Sequence, residues 1–185
     1  VSLIELFEET VGKYPEKTAV IDKDRTVSFV DLRGLALQTA TTIVGLGIPQ
    51  NRPVGVFLDK SIESVYADLG ILYAGDFYMN LDIKTPAERI KNIIQLVEPA
   101  AIISTQAQIK NIVAIIPDSV KLILLDEMGK ERRSQEVGDR SQELGERRNT
   151  LIDTDPSCII NTSGSTGTPK GVVLNHKSFF DFIDW

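Results

Sequence analysis

Asn161-Thr-Ser-Gly-Ser-Thr-Gly-Thr-Pro-Lys-Gly171 follows directly after the apolar run Cys158-Ile-Ile160, so a strand is predicted to lead into a loop rich in hydroxyl residues and glycine. Glycine lets successive backbone N–H groups turn toward one concavity, and such nests bind anions. Lys170 adds a positive charge of the kind that binds phosphate. The composition of this glycine-rich loop (residues 161–171) therefore predicts a site for a polyphosphate.

The glycine-rich loop is not a Walker A sequence, G-x-x-x-x-G-K-[ST]. Gly164 opens a similar frame, but Pro169 stands at the second glycine and Gly171 at the hydroxyl residue that would hold magnesium. The alternative interpretation is a flexible Gly/Ser/Thr connection that binds nothing. Linkers rarely follow an apolar strand and carry one well-placed lysine, which favours phosphate binding.

Short apolar segments alternate with segments of helical periodicity along the rest of the chain. Apolar segments of strand length lie at 53–58, 77–81, 100–104, 120–125, 157–161 and 171–175. Helical segments are predicted at 2–12, 31–43, 61–74, 106–112 and 177–185, and a further helix is predicted to start at Thr85. This alternation predicts an α/β fold with a doubly wound, mostly parallel sheet and flanking helices. Ligands bind such sheets beyond the carboxyl ends of the strands, where the glycine-rich loop is expected.

Three helix starts carry capping signals. Ser2 with Glu5 forms a capping box, and Ser28 is placed to cap the next helix. Thr85 before Pro86 predicts a third start, with threonine as the cap and proline in the first turn.

Residues 129–150 break the alternation. Arg133-Ser-Gln-Glu-Val-Gly-Asp139 is nearly repeated by Arg140-Ser-Gln-Glu-Leu-Gly-Glu146. The stretch is charged and poor in apolar residues, so it is predicted to be a solvated, disordered loop without a function of its own.

Three stretches together resemble a known family. Thr162-Ser-Gly-Ser-Thr-Gly-Thr-Pro-Lys-Gly171 is similar to the phosphate-binding signature of the adenylate-forming enzymes. Val27-Ser-Phe-Val-Asp-Leu32 resembles their "T-Y-x-E-L" element. Leu72-Tyr-Ala-Gly-Asp-Phe-Tyr-Met-Asn-Leu-Asp82 with Pro86-Ala-Glu-Arg-Ile90 resembles "L-K-A-G-x-A-Y-x-P-L-D…P-x-x-R-I" of the amino-acid-activating branch. Asn80 departs from the usual proline of that element, and Tyr73 from its common lysine.

The resemblance implies that residues 1–185 are the N-terminal portion of an adenylation domain, within the large N-terminal domain, and end soon after the glycine-rich loop. It implies a ligase that uses ATP and Mg²⁺ to convert a carboxylic acid, favoured to be an amino acid, into an acyl-adenylate and pyrophosphate. The acyl group then passes to a carrier-protein phosphopantetheine or to coenzyme A. By resemblance Lys170 is the catalytic residue, and phosphate would be bound by Thr162, Ser163, Gly164, Ser165, Thr166, Gly167 and Lys170.

The same resemblance places the magnesium ligands and the catalytic lid outside these residues, so the chain alone is expected to be inactive. A partial domain leaves apolar surface uncovered, which predicts self-association. Two alternatives remain open: an acyl-CoA synthetase fragment, and a non-catalytic nucleotide-binding module.

Composition narrows the partners and the compartment. A net charge of −6 argues against nucleic acid or an anionic membrane as the main partner. One cysteine, and no apolar run near the ~18 residues of a membrane span, fit the cytoplasm. No His/Cys/Asp/Glu cluster has metal-ligand spacing. Cys158 is predicted to be buried filler, and His176 to pack or face solvent rather than act as a base.

Overall fold

A computed structural model describes residues 2–128, 137–163 and 169–183 of the chain. Its main sheet has six strands in the order β6-β5-β3-β4-β7-β8. The strands are β3 (Pro53–Val56), β4 (Phe77–Asn80), β5 (Ala101–Ser104), β6 (Lys121–Leu124), β7 (Pro156–Ser163) and β8 (Pro169–Asn175). The first five in that order run parallel, and β8 pairs antiparallel with β7. A separate hairpin consists of β1 (Thr18–Asp22) and β2 (Arg25–Ser28).

Helices cover both faces of the sheet. They are α1 (Leu3–Lys13), α2 (Phe29–Gly45), α3 (Ile62–Tyr73), α4 (Ala87–Val97), α5 (Gln106–Ile109), α6 (Val137–Thr150) and α7 (His176–Ile183). One core cluster joins α2 and α3 to alternate strand residues such as Val54 and Ile103. The other joins α4 and α5 to the opposite face through Met79, Ile102 and Ile159. The predicted doubly wound, mostly parallel α/β fold is confirmed.

Two of the three predicted helix starts are confirmed. The Ser2 hydroxyl accepts the Glu5 N–H, and the Glu5 carboxylate accepts the Ser2 N–H at 2.6 Å, which completes the capping box of α1. Ser28 caps α2. The prediction of Thr85 as a cap is wrong, because α4 starts at Ala87 with Pro86 in the cap position and no side-chain cap. The Thr85 N–H instead donates to the Asp82 carbonyl in a tight turn.

The predicted disordered loop at 129–150 is wrong for residues 137–150, which form α6; residues 129–136 lie outside the described part of the chain. Leu144 is buried at 5% exposure against the α2–α3 side of the core. The Arg147 guanidinium donates to the carbonyls of Ile48 (3.0 Å) and Ala74 (3.2 Å) and pairs with Glu143. These long-range contacts order a segment whose own composition is that of a solvated loop.

Among the helices of the described residues, none has both the length and the apolar character that a membrane span requires.

The crossing of α2 and α3 is so close that it depends on a glycine. A Cβ added at Gly70 would lie 2.6 Å from the Thr39 Cβ and 2.8 Å from the Ala36 carbonyl oxygen. These distances are far inside normal contact, so the two helices would have to separate to admit even a methyl group.

We therefore expect Gly70→Ala to lower the free energy of unfolding by about 1–3 kcal/mol through overpacking. Gly34→Ala is the matched control, because Gly34 also lies inside a helix but a Cβ there meets nothing within 4 Å. That substitution should raise stability by about 0.5–1 kcal/mol. Urea unfolding of both variants measures the difference, and equal effects from the two would contradict the close crossing.

Candidate functional site

The glycine-rich loop connects two paired strands at one edge of the sheet. Thr162 and Ser163 end β7, and Lys170 lies at the start of β8. Thr162 is the cross-strand partner of Lys170, and its hydroxyl donates to the Lys170 carbonyl at 3.3 Å. The structure therefore brings these predicted residues together. Gly164, Ser165, Thr166 and Gly167 lie outside the described residues.

The two faces of the β7–β8 hairpin carry different chemistry. Side chains alternate along a strand, and directly paired residues share a face. Exposed Lys170 therefore shares a face with Thr162 and with the apolar pair Ile160 and Val172. Asn161 and its partner Gly171 belong to the opposite face, together with Ile159, which packs against the α4 side of the core.

Strand β4 pairs with β7, so the end of the motif Leu72–Asp82 lies at the same edge of the sheet as the end of β7. Tyr78 pairs with Cys158 and Met79 with Ile159 in parallel register. The residues that follow β4 thus adjoin the end of β7. A cavity of about 120 Å³ opens there, lined by Asn80, Leu81, Asp82, Thr85, Arg89, Ile90, Ile93 and Asn161. We call it the Asn161 cavity.

Asn80, which stands where the family pattern has proline, forms a hydrogen bond with the carboxylate of Asp68 on α3. Its Nδ2 donates to the Asp68 Oδ2 at 3.0 Å, whereas the Asp68 Oδ1 is buried without a partner. Burial raises the pKa of Asp68 to about 7, and the hydrogen bond from Asn80 opposes that rise. Asp68 therefore exchanges its proton near neutral pH, close to the site.

Tyr73, which stands where the family pattern commonly has lysine, lies in a polar cluster around Glu8, away from the glycine-rich loop. Its hydroxyl donates to the Glu8 Oε1 at 2.6 Å, and the Arg33 guanidinium donates to the same carboxylate at 2.9 Å. The Arg148 guanidinium lies 3.6 Å from that oxygen. Burial, followed by the contact with Glu8, raises the pKa of Tyr73. This tyrosine ties α3 to α1, α2 and α6, which is a packing role.

His176 and Cys158 are both buried. His176 is 1% exposed, and its Nδ1 accepts the Leu3 N–H at 3.2 Å, so the ring joins α7 to the start of α1. Burial lowers the pKa of His176, which keeps the ring neutral and suits packing rather than proton transfer. Cys158 is 3% exposed, and burial raises the pKa of its thiol, as expected of filler.

Comparison with known proteins identifies the family. The model of the AMP-binding enzymes matches residues 7–185. Tyrocidine synthase 1 of Brevibacillus parabrevis is 34% identical over 176 residues, which cover 95% of this chain. The chain therefore belongs to the AMP-binding enzyme family, and the predicted resemblance to adenylate-forming, peptide-synthetase-type enzymes is confirmed.

Solved structures agree in fold. The nonribosomal peptide synthetase FmoA3 bound to α-methyl-L-serine-AMP matches 100% of this chain and 19% of its own, with a TM-score of 0.81 and 21% identity. The fatty acyl-adenylate ligase of L. pneumophila matches 99% of this chain and 32% of its own, with a TM-score of 0.79 and 21% identity. The chain spans only 15% of tyrocidine synthase 1.

Sequence reasoning assigned no role to Asp68, Arg89 or Asn161. Arg89 lies inside one motif of the family resemblance and Asn161 directly before another, yet nothing in either motif shows that the two residues line one cavity. Asp68 lies in α3, outside every sequence motif, and its importance comes from its burial and its hydrogen bond with Asn80.

We expect Asp68→Asn to stabilise the protein above pH 7 more than at pH 5. The raised pKa means that the folded state retains a proton which the unfolded state has released, so stability from this group is present at low pH and is lost as pH rises toward 7. The loss approaches about 1.4 kcal/mol per pH unit in that window. Asparagine preserves an acceptor for Asn80 and cannot ionise.

Urea unfolding at pH 5 and pH 8 tests this expectation, with the exposed Asp118→Asn as the control variant. A pH dependence of Asp68→Asn identical to that of the unaltered chain would show that Asp68 is ionised throughout.

Proposed function

We propose that this chain is the phosphate-binding portion of a ligase that activates an amino acid with ATP. The observation that carries the proposal is the β7–β8 hairpin, which presents Thr162 and Lys170 together at the carboxyl edge of a parallel sheet in a member of the AMP-binding family. Anionic ligands bind such sheets at this edge.

In the proposed reaction a carboxylate oxygen of the acid attacks the α-phosphorus of ATP. A new acyl–phosphate bond forms, the bond to the oxygen bridging the α- and β-phosphorus breaks, and pyrophosphate leaves with the electron pair. The Lys170 ammonium is exposed and close to the end of the loop, where it can offset negative charge on the departing pyrophosphate. Thr162 maintains the hairpin by holding the Lys170 carbonyl.

The proposed site also includes Ser163, Gly164, Ser165, Thr166 and Gly167, whose hydroxyls and amides would donate to phosphate oxygens. Mg²⁺ would enter with ATP. Within residues 2–128, 137–163 and 169–183 no group of three or more His, Cys, Asp or Glu side chains could hold a metal ion. The magnesium ligands are therefore proposed to lie elsewhere in a longer protein.

The acid is proposed to be an amino acid because of the 34% identity to tyrocidine synthase 1. The acyl acceptor would then be the phosphopantetheine thiol of a carrier protein. An acyl-CoA synthetase that acts on a free acid is the second candidate, since the fold also matches a fatty acyl-adenylate ligase.

We expect Lys170→Ala to reduce ATP–pyrophosphate exchange by about two orders of magnitude, because loss of a charge-stabilising donor has an effect of that size. The experiment uses a polypeptide extended past Trp185 and a panel of D- and L-amino acids and fatty acids. Lys177→Ala is the control, because Lys177 is an exposed lysine on α7, beyond the loop.

Exchange with one amino acid, lost in Lys170→Ala and kept in Lys177→Ala, supports the proposal, whereas exchange with fatty acids alone supports the second candidate. No exchange with any acid would contradict both and leave a nucleotide-binding module. The 185-residue chain itself should show no exchange, since it spans a minor part of its relatives.

We also expect the 185-residue chain to self-associate through β8. This strand has no second neighbour in the described part of the sheet, and Ile160, Val172 and Val173 are 49%, 47% and 56% exposed beside that edge. Open apolar edges pair with other chains. Light scattering over a concentration series measures the association, and Val172→Lys should weaken it. A monomer at every concentration would contradict the prediction.

A further inference from the structure

The Asn161 cavity is separate from the face that carries Lys170. It lies between the end of β4, the first turns of α4 and the end of β7, on the opposite side of the β7–β8 hairpin. Its volume of about 120 Å³ is room for roughly four water molecules at about 30 Å³ each. A molecule the size of a small amino acid can therefore enter.

The side-chain amide of Asn161, which lines the cavity, lacks hydrogen bonds to the described part of the chain. Both polar atoms of its amide, Nδ2 and Oδ1, are buried, and neither has a hydrogen-bond partner among the residues that the structure describes. Buried amides are normally paired, because an unpaired one loses its hydration without compensation. An occupant that satisfies this amide must offer one acceptor and one donor at the same time.

Two opposite charges line the same cavity without pairing. The Arg89 guanidinium makes no ion pair or hydrogen bond within the described part of the chain. The Asp82 carboxylate accepts the Lys84 N–H at 2.9 Å through its Oδ1, and it forms no ion pair with any described residue. Both side chains are exposed at the mouth. A cation and an anion held apart in one cavity suit a ligand that carries both charges.

We propose that the Asn161 cavity binds a small zwitterionic α-amino acid. Its carboxylate would pair with the Arg89 guanidinium and accept from the Asn161 Nδ2, because guanidinium groups bind carboxylates in a bidentate manner. Its ammonium group would pair with the Asp82 carboxylate and donate to the Asn161 Oδ1. The apolar side chains of Ile90 and Ile93 leave space for a short aliphatic group.

A zwitterion accounts for all four polar features, whereas other occupants account for fewer. A simple anion such as phosphate uses Arg89 but is repelled by Asp82. Water satisfies the amide and hydrates the two exposed charges, but it does not bridge them as a zwitterion would. The site is additional to the substrate site of the proposed ligase and does not depend on that function. Because Asn161 is the first residue of the glycine-rich loop and lies in β7, an occupied cavity would stabilise the end of β7.

Titration calorimetry and NMR shift mapping with glycine, alanine and serine test the proposal on the 185-residue chain. We expect millimolar dissociation constants, the range open to ligands of about six non-hydrogen atoms. Acetate and methylamine, each carrying one of the two charges, should bind about tenfold more weakly or worse. Inorganic phosphate should not displace the amino acid.

The matched variants are Arg89→Gln and Asp82→Asn, which remove one charge each; asparagine has the size of aspartate, and glutamine is shorter than arginine but keeps a polar donor. Asparagine at 82 also keeps the acceptor for the Lys84 N–H, so the turn persists. Each variant, and Asn161→Ala, should weaken amino-acid binding about tenfold or more. Lys110→Ala, an exposed lysine remote from the cavity, should change nothing. Circular dichroism confirms that every variant is folded.

Lys170→Ala separates this proposal from the proposed ligase function, because it should abolish ATP binding and leave amino-acid binding at this cavity unchanged. Absence of zwitterion binding, equal binding of acetate, or unchanged affinity in Arg89→Gln and Asp82→Asn would each overturn the inference.

Discussion

The parallel pairing of β4 with β7 is the constraint on which the rest of the site depends. It joins Tyr78 to Cys158 and Met79 to Ile159, residues that are about 80 positions apart in sequence. Met79, Cys158 and Ile159 are nearly inaccessible to solvent, so the pairing is stabilised by burial on both faces of the sheet. Within the described residues, β8 pairs with no strand of the sheet other than β7. Displacing β7 would therefore displace Lys170, the loop and one wall of the Asn161 cavity together.

Helices α1, α2, α3 and α6 support that sheet through one close crossing and one polar cluster. Gly70 lets α3 approach Thr39 and Ala36 of α2, and this fixes the layer that covers β3 and β4. Glu8 then accepts from both Tyr73 and Arg33, which ties three helices to one carboxylate. Because that carboxylate is hydrogen-bonded and paired, its partial burial is compensated. A lysine at position 73 would add a third cation to Arg33 and Arg148 at this carboxylate, whereas the tyrosine hydroxyl donates a hydrogen bond without adding charge.

The spacing of apolar residues was sufficient to predict the strands of the main sheet and most helices. In these elements the apolar residues that face the core recur with the period of a strand or of a helix. The prediction failed for α6, where a charged segment is ordered by Leu144 and by hydrogen bonds from Arg147 to carbonyls about 100 and 73 residues away. It also misplaced the start of α4, because a local turn at Asp82 competes with capping by Thr85. In the site, the hairpin register makes Thr162 and Lys170 cross-strand partners, and their role in phosphate binding stays a prediction. The neighbours of Asp68 and Asn161 are set by pairing across the sheet, and no local pattern encodes that.

Because side chains alternate along β7 and β8, the two faces at the end of the hairpin carry different residues. Lys170 and Thr162 belong to one face and Gly171 and Asn161 to the other, so adjacent residues serve different sides of the sheet. Gly171 matters for the second side, because a Cβ there would lie 3.1 Å from the Ile159 Cγ2 and 3.9 Å from the Asn161 Oδ1. Its missing side chain lets β8 lie close to Ile159 and keeps the Asn161 amide uncrowded. A side chain at position 171 would press on Ile159 and make it shift by a few tenths of an ångström, so this glycine also favours close packing on the face opposite Lys170.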